Sequence, residues 1–472
     1  MDSWLLIGRI ISFGILFATI AGARAQNGSS VANIPYWIAL GMLLLYVSYC
    51  MSGIEFSNGN SVYAELALAG LPAVSAIGFG FATHRGMSAC LRPRKLAPTI
   101  AAPIPKISGA YIVAALTLAI IFFTTLTGGQ PWRVFTDGVE LKWERLNAAA
   151  DKDARLLLLD AMVFASILIG LTWSIVGYRD DQRSLKCLLV FLSLTLLYVL
   201  STGSRTPLIA VILQIVSSVI YGQRHSRFVR TLSANSLVIS GSVAAVVAFM
   251  ITVTASRVQF EELSSSVFEI YFDINKLGVI DWLTERGAAG FFAATLITYA
   301  ASTYNNAVIR IQELDTITLS FGYKFAFFYL SGLESLTAGV FTEVIAKWRG
   351  LATINNEQLL VISPSATQWA TLFGDAIWDF GLVASGMLVL VVSYAAGRVI
   401  KRASMRPSLS NYLLAATLIG FSLSPLVNPF LSLHVHFMFF IVAAIHLVTR
   451  RQRRSKHLGV NVPLSSNPGG AK

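Results

Sequence analysis

Charge is what this chain has least of. Only 13% of its 472 residues are Asp, Glu, Lys or Arg, and the mean hydropathy is +0.66. Soluble domains carry about 25% charged residues, so this composition excludes a soluble enzyme and indicates an integral membrane protein. Cysteine is scarce too. Cys50, Cys90 and Cys187 stand singly in or beside apolar runs, with no C-x-x-C, which leaves no disulfide framework and no metal site. The chain also lacks a P-loop, a dinucleotide fingerprint, H-E-x-x-H and G-x-S-x-G, so the usual apparatus for ATP, nicotinamide or serine-hydrolase chemistry is absent and no cofactor is implied. The D-F-G at Asp379 to Gly381 has no kinase context and opens a membrane helix.

Apolar runs of spanning length lie near 4–22, 34–52, 62–83, 107–127, 156–177, 185–203, 206–222, 236–254, 380–398, 410–427 and 430–449. The expected fold is therefore an all-α polytopic membrane protein of about 11 spans, or 13 if the semi-apolar stretches 288–304 and 319–341 also cross. Those two carry enough Tyr, Ser, Lys and Glu to read as interfacial or re-entrant. The expected organisation is one membrane domain over 1–450, an extracytoplasmic loop region at 255–368 with short or re-entrant helices, and a basic, disordered tail at 451–472. Orientation follows from the basic residues. With the tail R-R-Q-R-R-S-K inside, the alternating cytoplasmic segments hold 22 of the 36 Lys and Arg but, of the 24 acids, only Asp180 and Asp181. The net charge of +12 thus reflects topology, and no nucleic-acid partner is implied. Eleven crossings put the amino terminus outside.

Within this map four groups of residues could carry chemistry. The turn S-T-G-S-R-T-P, Ser201 to Pro207, sets Arg205 between two apolar runs. A helix start with spare N–H groups beside a guanidinium suits an anion at the membrane surface, although an arginine that merely snorkels is the plainer use. Arg257, Arg286 and Arg310 are further arginines of the outer region, and converging guanidiniums would clamp a diphosphate. Asp375 and Asp379 are four apart, so they share a helical face at the outer end of the span beginning near 380. There they either complement the helix dipole or do acid–base work. Tyr299, Tyr304, Asn305 and Asn306 combine aromatic faces with amides, which suits sugar rings or an interfacial aromatic belt. His434 and His436 are two apart and point to different sides of a helix, so they cannot chelate one metal.

The hairpin L-S-T-G-S-R-T-P, the L-I-T-Y-A-A-S segment, and F-G-D-A-I-W-D-F-G-L-V-A-S-G leading to A-A-G-R make residues 185–405 resemble the O-antigen polymerases, the Wzy-type polymerases of oligosaccharide repeat units. Members of that family usually keep both termini inside, a departure from the eleven-span map. The resemblance implies a metal-independent, membrane-embedded glycosyltransferase of surface or exopolysaccharide synthesis in the bacterial inner membrane. It would work at the periplasmic face with its carboxyl terminus cytoplasmic. Such an enzyme transfers a growing glycan from undecaprenyl diphosphate to the non-reducing end of a new undecaprenyl-diphosphate-linked repeat. A chain-length regulator and a flippase of the same pathway are the expected partners. Carried over, Arg205, Arg257 and Arg310 would bind the diphosphate, Asp379 and then Asp375 would position or deprotonate the acceptor, and Tyr299, Tyr304 and Asn305 would face the glycan.

An O-antigen ligase is the nearest alternative. It would favour a catalytic histidine in the large outer loop, and residues 255–368 contain none. A lipid-linked oligosaccharide flippase or other transporter would favour charges midway through spans and two similar halves.

Overall fold

A computed structural model of the chain describes residues 3–27, 32–56, 61–83, 107–130, 133, 154–178, 181–202, 211–212, 214–215, 218–219, 274–322, 341–362, 372–405, 408–419 and 441–442. Twelve α-helices run through these residues: α1 (Ser3–Asn27), α2 (Ile34–Met51), α3 (Val62–Thr83), α4 (Gly109–Leu126), α5 (Ala154–Val176), α6 (Gln182–Thr202), α7 (Val279–Thr284), α8 (Gly287–Gln312), α9 (Thr342–Ile362), α10 (Leu372–Phe380), α11 (Leu382–Met405) and α12 (Leu409–Ile419). Seven of them, α1 to α6 and α11, are long and apolar enough to cross a bilayer. The chain is an all-α polytopic membrane protein. Of the eleven expected spans these seven match, α12 covers the start of an eighth, and the runs at 206–222, 236–254 and 430–449 lie largely outside the described residues.

Polar residues at the membrane boundary start several helices. Ser61, Ser108, Asp181 and Ser408 each accept a hydrogen bond from the backbone N–H three residues on, which supplies a partner to a donor the helix leaves unpaired. Beyond the caps, the helices are apolar around much of their circumference. Trp4, Ile10 and Phe17 on α1, Ile120 on α4 and Met387 and Val391 on α11 stay exposed, as a hydrocarbon solvent allows.

The helices pack as two groups. In the first, α1 and α3 run parallel, with Gly8 against Val62, Arg9 beside Glu65 and Gln26 near Gly80. Between them α2 runs the other way: Asn33 donates to the Ala23 carbonyl and the Tyr46 hydroxyl to that of Arg9. Against α3 lies α11, again parallel. Gly78 lets the Leu390 backbone approach, and Ser75 and Ser393 share a hydrogen bond of 2.8 Å. Arg24, Arg398, Lys401 and Arg402 therefore gather at one end of this group, while Glu65 lies toward the other. In the second group, α4 and α6 run parallel with α5 opposed, joined by stacking of Phe164 on Tyr198 at 4.9 Å and by seating of the Phe191 ring at Gly170. Packed on α11, α12 lends Leu413 to the second core and Tyr412 to the first.

One expectation changes here. The stretch read as an interfacial or re-entrant segment of the outer loop is a 26-residue helix, α8, about 39 Å long, packed against α2, α3 and α10. Every residue from Ala301 to Ile311 is buried. A small antiparallel pair, Glu55–Phe56 (β1) with Ile274–Lys276 (β2), ties the end of α2 to the approach to α7 and α8. The Val279 N–H also bonds the Ser52 carbonyl at 2.9 Å.

Candidate functional site

The candidate site is built where α8 meets α10. Arg310, in the last turn of α8, is 1% exposed, and its Nη1 donates to the Asp375 carboxylate at 2.8 Å. Both side chains are out of solvent, so this is a desolvated ion pair whose partners depend on one another. Asp379, one turn further along α10, is also fully buried and accepts from the Ser320 hydroxyl. Its backbone carbonyl takes the Phe321 N–H at 2.8 Å. The two aspartates do share a face, as their spacing predicts. They sit, however, on a short helix of their own. Gly381, at φ +80°, breaks the chain between α10 and the spanning helix α11.

The non-helical residues 317–322 are clasped between α9 and α10. Gln358 accepts from the Thr318 N–H at 2.8 Å, Asn355 donates to the Thr318 and Trp378 carbonyls, and Trp348 donates to the Ser320 carbonyl. Trp378, wholly buried, returns a bond to the Asn355 carbonyl at 3.3 Å. Irregular backbone beside membrane helices has to be satisfied by protein groups, and these side chains do that. The clasp fixes the segment that carries Ser320 and thereby holds Asp379.

A second, partly buried ion pair lies on another side of α8. Glu65 is fully buried and sits 3.4 Å from Arg9, and Tyr46 donates to its other oxygen at 3.4 Å. The Arg9 guanidinium lies 5.5 Å from the centre of the Tyr49 ring. Tyr304 of α8 fits between Tyr46 and Tyr49, each ring centre 5.2 Å away, and its hydroxyl reaches the Glu65 carbonyl.

The structure thus brings together three of the eight residues expected to act: Arg310, Asp375 and Asp379. Arg310, expected to grip a diphosphate, has a carboxylate as its partner. Tyr304 and Asn305 are buried within the bundle, while Tyr299 is partly exposed. Arg286 lies over the exposed Trp282 ring at 3.8 Å, away from the cluster on α7. Arg205, Arg257, His434 and His436 lie outside the described residues. Among those described, no group of His, Cys, Asp and Glu is arranged to hold a metal. Sequence reading missed Ser320, Asn355, Trp348 and Trp378, which carry no motif. It also missed Arg9 and Glu65, whose signal was present: each interrupts an otherwise apolar span, where an ionisable residue marks a site by default.

Comparison with known proteins adds no name. No family model, curated protein or solved structure matches the chain.

Proposed function

We propose that this chain is a membrane-embedded glycosyltransferase that polymerises lipid-linked oligosaccharide repeat units. The observation that carries the reading is the meeting of Arg310 with Asp375, one helical turn from Asp379, in a buried polar cluster of a membrane protein. Ionisable groups are costly beside a bilayer, and a cluster of them on a short, separately clasped helix suits catalysis better than packing. The resemblance of residues 185–405 to O-antigen polymerases supplies the reaction. By the positive-inside rule, the end of the bundle bearing Arg24, Arg398, Lys401 and Arg402 is cytoplasmic, and in this reading the aspartate cluster serves the extracytoplasmic side.

In the proposed reaction, Asp379 accepts the proton of the acceptor sugar hydroxyl as its oxygen bonds to the anomeric carbon of the growing glycan. The bond from that carbon to the diphosphate oxygen breaks, and undecaprenyl diphosphate leaves with the electron pair. Arg205 and Arg257 stabilise the leaving diphosphate. Arg310 acts through Asp375, holding α10 in register, and Tyr299 faces the glycan. The test uses purified protein in liposomes supplied with undecaprenyl-diphosphate-linked repeat units. The reading expects a ladder of products that Arg205→Ala abolishes. Lipid-linked substrate that stays monomeric, or only changes leaflet, would overturn it.

A further inference from the structure

Helix α8 has a feature that neither ion pair explains. Ala301, Tyr304, Ala307, Val308 and Ile311 lie on one half of its circumference and enter the first core with α2 and α3. The other half carries Thr298, Ser302, Thr303, Asn305 and Arg310, all no more than 3% exposed. Both halves are enclosed, yet one is polar. Thr298, Ser302 and Asn305 follow the i, i+4, i+7 pattern, so they form a stripe within about 60° of one another, and Thr303 stands about 100° round from Ser302, at the edge of the same half.

Among the described residues, their side-chain oxygens have no partner. The hydroxyl oxygens of Thr298, Ser302 and Thr303 and the amide oxygen of Asn305 are buried without a hydrogen bond. Local back-bonding would be the ordinary solution, and Thr295 on the same helix adopts it, donating to the Phe291 carbonyl at 2.9 Å. Four unsatisfied polar atoms in succession on one face are too costly to stay dry, and a water site needs such convergent partners. None of the four is charged, so the chemistry they match is a neutral hydroxyl rather than a phosphate. Arg310, paired with Asp375, lies further along the helix, about one and a half turns beyond Asn305.

We propose that the polar half of α8 lines a hydrated passage to the Arg310–Asp375–Asp379 cluster that takes neutral, hydroxyl-bearing groups: the glycan chain, or water alone. The glycan as occupant rests on the polymerase reading, whereas the hydrated seam does not. Thr298→Cys, Ser302→Cys and Asn305→Cys, made singly, test it, with Ala301→Cys and Val308→Cys as controls on the apolar half, all in the full-length chain in membranes. A membrane-impermeant cationic methanethiosulfonate should modify the three polar-half cysteines about tenfold faster than the controls, above the background of the native chain. No modification at any of the three, or equal rates on both halves, would overturn the passage. The occupant is read next. If modified Ser302→Cys loses the product ladder, the glycan occupies the seam; if the ladder survives modification, water alone does, and the passage stands in either case. Selective modification in a protein whose unmodified form makes no ladder would keep the passage and sink the polymerase reading.

Discussion

The two groups of helices handle buried polarity in opposite ways. Among the described residues, the group of α1, α2, α3, α8 and α11, with α10 against α8, holds two ion pairs, Arg9 with Glu65 and Arg310 with Asp375, and a further buried acid, Asp379, on the Ser320 hydroxyl. Around α4, α5 and α6, the contacts seen among the described residues are hydrogen bonds. Gln214 donates to the Thr172 hydroxyl at 2.6 Å, Ser218 donates to the same oxygen, Tyr111 donates to the Ser166 carbonyl, and Tyr198 donates to Asp160 at 2.8 Å. Its interior mixes aliphatic side chains with Phe122, Phe164, Phe191 and Tyr198, which are in mutual contact or packed close together. Apart from the bond to the Asp160 carboxylate these are neutral bonds, which join helices without committing either partner to a charge. Paired ions inside a bundle cost desolvation for little net stability, and the Arg310–Asp375 pair is the feature on which the proposed function draws.

Two substitutions sharpen that contrast, the first with the larger effect. Arg310→Ala leaves Asp375 buried without its cation and should cost about 3–5 kcal/mol, seen as a large fall in thermal stability in detergent or in membrane abundance. Combining Arg310→Met with Asp375→Leu should recover most of that loss, because the penalty comes from an orphaned charge and not from lost attraction. If the double variant is no better than Arg310→Ala, the pair is a packing device and the contrast fails. On the other side, Thr172→Val removes the acceptor of Gln214 and Ser218 and should cost only about 1 kcal/mol in the same assay, within the range for neutral bonds between membrane helices. A loss as large as that of Arg310→Ala would show that neutral and ionic contacts bear equally on this fold.

Much of the membrane architecture was legible because it rests on local composition. The apolar runs that became α1 to α6 and α11 are long enough to span by themselves. Helix α8 escaped because hydropathy is an average along the chain, while its polarity is divided around the helix. Thr298, Ser302 and Asn305 lower the mean even though every residue from Ala301 to Ile311 is buried. At the site, Asp375 and Asp379 stood out by spacing, and Arg310 by its charge. Their association could not be read, since 65 residues separate Arg310 from Asp375 and only the packing of α8 on α10 joins them. The break at Gly381 was foreshadowed by Phe-Gly before an apolar run, but a positive φ is a property of the folded turn. Ser320, Asn355 and Trp348 belong to short segments whose roles arise from side chain to backbone bonds across α9 and α10.

The central claim is that Asp379 does chemistry while its neighbours hold it in place. Asp379→Asn keeps the size of the side chain and an oxygen that can accept from Ser320, so folding should survive. The measurement is the initial rate of repeat-unit joining by the purified variant in liposomes, with its thermal stability taken in parallel. A rate reduced about 100-fold or more at unchanged stability is the predicted result, the usual scale for a lost general base. A rate within about twofold of the native protein would contradict the assignment.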